Sequence, residues 1–524
     1  MQLSGAALAA PVTMEGILAQ GVGQDPDETA LISLETSWTW QELDEDSSRL
    51  AGNLLDLGLE PGDRVAVLLP NRCAVVVIYL ACLKAGLVAT PLSYRYAAPE
   101  IDRALKVSEA KILISHRERA DDLAAAQEVA NLPLGTIGYG QGSLGGLRFE
   151  TLIEQEPKQQ SFPELPDEAL AFLFFASSGG KTPRGIAHSR ASVGWALASL
   201  MQGYALEEED VVMTASALSH SGGMTLALAS LAAGARVAIA RNLDGDELLP
   251  LLRAERPTVT WMLPAALNRL LRDHEASARD FASLRLVLAG GDRVPDALAQ
   301  RLESQIGLPL CQSYGFTQAS CAALNLPTQQ GPSNCIGALM PGCAAEIRDE
   351  AGAPLPPHRE GHLWVTSKGV MQGYWHHPKA SAAAVQEGWL DSGTRAKADA
   401  QGRLWLAGPQ QQIVVHDFSS IAAKEVEAVL AKHPAVAAAG VVGLLDLLHG
   451  ETLRAFVTLA ENAEPVSEHD LIAYTRARIR FRAPEEIVFL DELPLDDEGE
   501  ADHDLLKQLA ERGWQSAARL DARP

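Results

Sequence analysis

The run from Phe174 to His188, FFASSGGKTPRGIAH, gathers the residue types that bind polyphosphate. Its apolar start suits a buried strand, and Ser177, Ser178, Gly179, Gly180 and Thr182 then form a turn rich in hydroxyls and uncovered backbone N–H groups. Successive N–H groups of this kind make concave anion sites. Lys181 and Arg184 place cations in the same turn. The tail GGKT invites a P-loop reading, but that motif needs a glycine where this chain has Phe175, so it is excluded. An ordinary strand-to-helix turn with an exposed lysine remains the plain alternative.

The elements that must hold such a turn follow from the apolar pattern. Short apolar strands at Arg64–Leu69, Lys111–Ile114 and Val237–Ala240 alternate with amphipathic helices at Ala191–Met201, Gly245–Glu255 and Asp296–Ser304. That alternation predicts an α/β protein with largely parallel sheets. From about Ala344 the strands crowd together in AAEIRD, GHLWVTS, RLWLAG and QQIVVHD, predicting a smaller β-rich subdomain. After Gly408 and Pro409 the pattern restarts and ends in the acidic stretch LDDEGEADHD and a helix near Leu505–Arg512.

With 524 residues and 47% hydrophobic content, the chain is long enough for more than one domain and a large core. A formal net charge of −24 without a basic stripe argues against a nucleic-acid partner. The segment Ala6–Ala10 has no preceding basic residue, so no signal peptide is expected. The apolar stretch Val65–Leu83 is interrupted by Pro70, Asn71 and Arg72 and reads as strand, turn and helix rather than a membrane span. A cytoplasmic location is the expectation. The cysteines Cys73, Cys82, Cys311, Cys321, Cys335 and Cys343 lack paired spacing and read as buried free thiols.

Further blocks follow the loop and its ending Pro183, Arg184, Gly185. They include LKAGLVATPL at 83–92, ALSHSGGM at 217–224, LVLAGGDRV at 286–294 and SYGFTQAS at 313–320. GVMQGYW at 369–375, GWLDSGT at 388–394 and GRLWLAGPQQQIVV at 402–415 come next. AAKEVEAVLAKHPAV, the pair Gly450–Glu451 and FRAPEEIVFLDELP complete the series. In order and separation, across nearly the whole chain, this series resembles the adenylate-forming family of acyl-CoA synthetases, luciferases and peptide-synthetase adenylation domains. The resemblance implies an α/β fold with a large N-terminal domain, residues 1–408, of two α/β subdomains plus a β-rich subdomain. A small mobile α+β C-terminal domain, 409–524, would follow a hinge at 408–412.

It also implies a reaction: a carboxylate attacks ATP to give an acyl-adenylate and pyrophosphate, and a thiol, usually coenzyme A, then takes the acyl group. ATP or AMP, Mg²⁺ and CoA are thereby implied. So are a small carboxylate or acyl thioester as substrate, an acyl carrier protein or biosynthetic enzyme as candidate partner, and a homodimer as candidate assembly. Ser177, Ser178, Gly179, Gly180 and Thr182 correspond to the phosphate loop; Tyr314 and Gly315 to the adenine wall; Thr317 to a phosphate contact; Gly290 and Gly291 to the nucleotide and acyl walls. His220, Gly222, Gly223, Gly290 and Phe316 would line the acyl pocket. The plain alternatives are a hydrogen-bonded structural histidine and glycines chosen for tight packing.

Several positions depart from the family. Arg184 stands for its lysine, Gln318 for a glutamate near Mg²⁺, and Thr394 for the aspartate that grips the ribose, with Asp391 and Asp399 as nearby acids that read as surface residues. Glu500 stands where the family's catalytic lysine belongs. Pro409 and Gln412 occupy the hinge, and His416, Asp417, Phe418, Ser419 and Ser420 replace a glycine-rich loop. Three functions compete: a ligase using Lys181 and Arg184 as substitute cations, an acyl or acyl-CoA binding protein that has lost adenylation, and acyl transfer from a preformed thioester with His220 as base.

Overall fold

The computed structural model gives the architecture and describes residues 2–140, 146–178, 181–242, 245–274, 276–291, 294–326, 335–407, 413–416, 419–446, 450–460, 463–495 and 501–511. Apolar runs bounded by turn residues become strands, as expected: Arg64–Leu68, Ile112–His116 and Arg236–Ile239. The helix Gly245–Glu255 has the expected bounds, and the others run Arg190–Gly203 and Asp296–Ile306. The run beginning at Val65 resolves into the strand Arg64–Leu68 and the helix Cys73–Ala85, almost wholly buried. Such an all-round apolar helix belongs inside a large core, and Gly86 at φ 73° ends it in the left-handed conformation a glycine adopts without strain.

Contacts divide the chain into two compact units, one of Met1–Ala176 with Arg184–Leu406, the other of Ser177–Pro183 with Ala407–Pro524. The first unit contains an α/β sheet whose central strands Val211–Ala215, Val259–Met262, Leu286–Gly290 and Leu310–Phe316 run parallel and in register, Trp261 opposite Leu288 and Leu288 opposite Cys311. Their carboxyl ends form one rim, where ligands bind in open α/β sheets. Antiparallel strands Ser320–Asn325 and Cys335–Leu339 continue this sheet into the β-rich portion, Ala344–Arg348, Gly361–Thr366, Trp389–Ala398 and Leu404–Leu406.

A second, eight-stranded sheet carries the hairpin strands Leu170–Ser178 and Lys181–Ser189 near one edge. The C-terminal unit has its own five-stranded sheet and a core that includes Val426, Val441, Leu453 and Leu471. Its last helix is His503–Glu511. The expected hinge, Gly408, Pro409 and Gln412, lies outside the described residues, as do Asp417, Phe418 and Glu500. No described helix is long and apolar enough to cross a membrane. Five cysteines are buried and Cys321 is partly so; all are free.

Candidate active site

The Thr317–Gln318 turn joins two antiparallel strands, and its shape depends on Gly315. A Cβ there would lie 2.2 Å from the Ser320 carbonyl oxygen, so only bare backbone permits the crossing. Ser320 closes the turn at φ 54°, a left-handed conformation costly for a side-chain residue and often found beside functional sites. Two backbone anchors hold it: the Met371 N–H donates to the Gln318 carbonyl at 2.7 Å, and His188 Nε2 lies 2.8 Å from the Thr317 carbonyl. His188 is buried among apolar neighbours, and that burial pushes its pKa down to about 4, the Thr317 carbonyl acting in the opposite direction. Neutral at physiological pH, the ring donates from Nε2, and the Ser192 hydroxyl stands 3.3 Å from Nδ1. Nothing in the sequence around His188 announces its contact with Thr317, which joins residues 129 positions apart.

Beside this turn, Gln318 donates its amide N–H to the Tyr374 hydroxyl at 3.3 Å. The Arg184 guanidinium lies over the Tyr374 ring, 5.3 Å from its centroid. Strand pairing explains the meeting: Ile186 is opposite Tyr374. Arg184, Tyr374, Gln318 and Thr317 therefore form one connected set. The side chains of Ser177, Ser178, Lys181 and Thr182, and both Gly179 and Gly180, lie outside the described residues.

On the same strand, the Tyr314 hydroxyl donates to Thr394 Oγ1 at 2.9 Å, joining residues far apart in sequence. Burial raises the Tyr314 pKa, and hydrogen bonds with Thr394 and Ser392 hold it back, so the phenol stays protonated as a donor. The Tyr314 and Phe316 rings meet edge to face at 6.0 Å. Asp391 accepts from the Gly393 N–H at 2.9 Å and shapes the bend before Thr394. Asp399 corrects a sequence expectation. Read as a surface aspartate, it is only 6% exposed, accepting from the Arg403 guanidinium, the Trp405 indole and the backbone of Gln401 and Arg403. Its oxygens are spent on a buried turn, which removes it as a ribose ligand.

At the rim, His220 precedes the helix Ser221–Ala232. Its side chain is exposed to solvent, yet the surrounding protein desolvates it and the Arg95 cation opposes its charge, both lowering its pKa. Gly222 faces open space, whereas a Cβ on Gly223 would meet the Ala217 carbonyl at 2.4 Å. Gly290 and Gly291 have packing reasons of their own: a Cβ on Gly290 would sit 2.4 Å from the Ser313 carbonyl, and the Trp261 indole lies 3.2 Å from that position. Trp261 also donates from Nε1 to Ser313 Oγ at 2.7 Å, fixing the ring across the glycine pair. No motif in the sequence reading included Trp261.

A family model for the AMP-binding enzyme matches residues 18–375, and one for the AMP-binding enzyme C-terminal domain matches 425–500. The chain belongs to the AMP-binding enzyme family. It is 30% identical over 478 residues to a feruloyl-CoA synthase from Amycolatopsis sp, covering 90% of this chain and 93% of that one. An indoleacetate–CoA ligase from Aromatoleum aromaticum is 29% identical over 499 residues, covering 94% and 96% of the two chains. Among solved structures, the amide bond synthetase McbA from Marinactinospora thermotolerans superposes with a TM-score of 0.83 at 27% identity, covering 95% of this chain and 99% of that one. These matches establish the adenylate-forming family and its α/β architecture.

The donor set of this AMP-binding enzyme suits a nucleotide. A half-buried phenol ring beside Phe316 offers a stacking face, and Thr394 adds a hydroxyl at its edge. Among the described residues no three acids, histidines or cysteines gather as a metal site.

Proposed function

We propose that the protein is an ATP-dependent acid–thiol ligase for an aryl or arylalkanoic acid, with adenylation slowed by the residues that depart from the family. The observation that carries this reading is the convergence at one rim of Tyr314 on Thr394, Thr317 on His188, and Gln318 on Tyr374 beneath Arg184. ATP with Mg²⁺ supplies the leaving group that makes a carboxylate acylating. Tyr314 presents its ring to the base and Thr394 its hydroxyl to the sugar. Gln318, its amide N–H committed to Tyr374, offers its carbonyl oxygen to Mg²⁺. Arg184, with Lys181 from the same loop, supplies positive charge to the phosphates. His220 and Gly222 face the acid, and Trp261 offers a flat apolar wall. The aryl preference is supported by that indole and by the relatives named for feruloyl and indoleacetyl thioesters.

Carboxylate-dependent ATP–pyrophosphate exchange across cinnamic, indoleacetic and fatty acids tests the reading. The expected result is an aryl rate about tenfold above the aliphatic one, the scale on which apolar pockets discriminate. An aliphatic preference overturns the aryl assignment.

Thr394 gives a separate expectation. Thr394→Asp restores a charged acceptor for the sugar hydroxyls. Hydrogen bonds to charged groups contribute about 1.5–3 kcal/mol, so KM for ATP should fall by about tenfold or more at unchanged KM for the acid. An unchanged KM for ATP would place the ribose elsewhere.

A second reading, an acyl-binding protein without adenylation, is favoured by the combined substitutions at Arg184, Gln318, Thr394, Pro409 and Glu500. It expects measurable acid binding with no exchange.

A further inference from the structure

We propose that a cavity beside the Thr317–Gln318 turn is a second ligand site, which takes a short aliphatic monocarboxylate. The cavity measures about 100 Å³ and lies between the helix Arg190–Gly203, the Ala319–Cys321 turn, Pro341–Cys343 and Ser367–Gly369. Its wall begins with the residue that follows Gln318, so it adjoins the catalytic turn without sharing Thr317 or Gln318. Trp195 and Ser199, one helical turn apart, present one side, and the Ser199 hydroxyl is spent on the Pro341 carbonyl at 2.6 Å.

Charge selects the ligand. Of the residues lining the cavity, Lys368 alone carries a charge at neutral pH. Burial pushes the Cys321 thiol up to about 12 and the Cys343 thiol up to about 11, so both stay neutral. The Lys368 ammonium lies 4.1 Å from the centroid of the Trp195 ring, and no carboxylate among the described residues pairs with it. A cation held over an indole at the mouth of a small, otherwise neutral cavity suits an anion with an apolar tail. Size bears on the tail: a cavity of about 100 Å³ has room for a chain of a few carbons. His220 is not among the residues lining this cavity, and the site's existence does not depend on the aryl assignment.

Titration calorimetry with sodium butyrate on the full chain tests this. Butyrate should bind the unmodified protein, and n-butanol should not. Lys368→Ala should weaken butyrate binding by about twofold to fivefold, the loss of one exposed ion pair. Lys368→Arg should retain it, and Ala196→Leu, which fills the cavity, should abolish it. Lys368 is exposed, so Lys368→Ala should fold normally and show an unchanged melting temperature. Absence of heat in the unmodified protein, or equal affinity in Lys368→Ala, overturns the proposal. Binding weakened by His220→Ala but not by Lys368→Ala overturns it too, by assigning butyrate to the acid site at His220.

Discussion

Replacing Glu500 with lysine is expected to raise carboxylate-dependent pyrophosphate exchange by about 100-fold or more. We propose, from the resemblance of LPLDDEGE to the family's last motif, that Glu500 stands where the family's lysine would reach the phosphates and the carboxylate; the residue lies outside those the structure describes. Losing a preorganised donor to developing charge costs on the order of 3 kcal/mol. A carboxylate about 4 Å from phosphate adds roughly 4 kcal/mol of repulsion at an effective dielectric of about 20. Reversing the first term alone gives about two orders of magnitude. Exchange rates of the two proteins at saturating ATP check this. Equal rates would mean that position 500 stays away from the reacting groups and that Lys181 and Arg184 already provide the charge.

The second large effect concerns His188. Its ring connects the end of the strand Lys181–Ser189 to the Thr317 carbonyl, and burial holds its pKa near 4 against an ordinary 6.5. Folding therefore favours the neutral ring. The stability this contributes is present above about pH 6.5, where both states are neutral, and is lost as pH falls toward 4, because the unfolded chain takes up the proton first. At 1.36 kcal/mol per pH unit, the loss amounts to about 3 kcal/mol. Urea unfolding from pH 7 to pH 4 should show it as an added fall in the unmodified protein relative to His188→Asn. At pH 7 the substitution itself should cost about 1–3 kcal/mol, since it leaves the part-buried Thr317 carbonyl without its donor. Parallel pH profiles for the two proteins would contradict the assignment.

Local pattern carried much of the architecture. The bounds of Gly245–Glu255 and the strand–turn–helix reading of the run from Val65 follow from apolar period and turn residues alone. Motif order carried the family. Contacts between distant segments were not legible. His188 and Thr317 are 129 positions apart, and Trp261 and Ser313 are 52 apart, so no local period announces either bond. Asp399 was misread for a related reason: its aspartate-to-arginine turn looks solvated in one dimension and closes into a buried hydrogen-bond cluster in three. Gly290 and Gly291 look like room for a ligand in sequence, yet Gly290 is required first by the approach of Ser313 and Trp261.

We propose that this rim activates a carboxylic acid with ATP. The most direct measurement is pyrophosphate exchange by the unmodified protein with ATP, Mg²⁺ and an aryl acid such as ferulic or indoleacetic acid, with Glu500→Lys run beside it. Slow, acid-dependent exchange in the unmodified protein and fast exchange in the variant are expected. Silence in both, with the acid still bound, would contradict the proposal and leave an acyl-binding protein in its place.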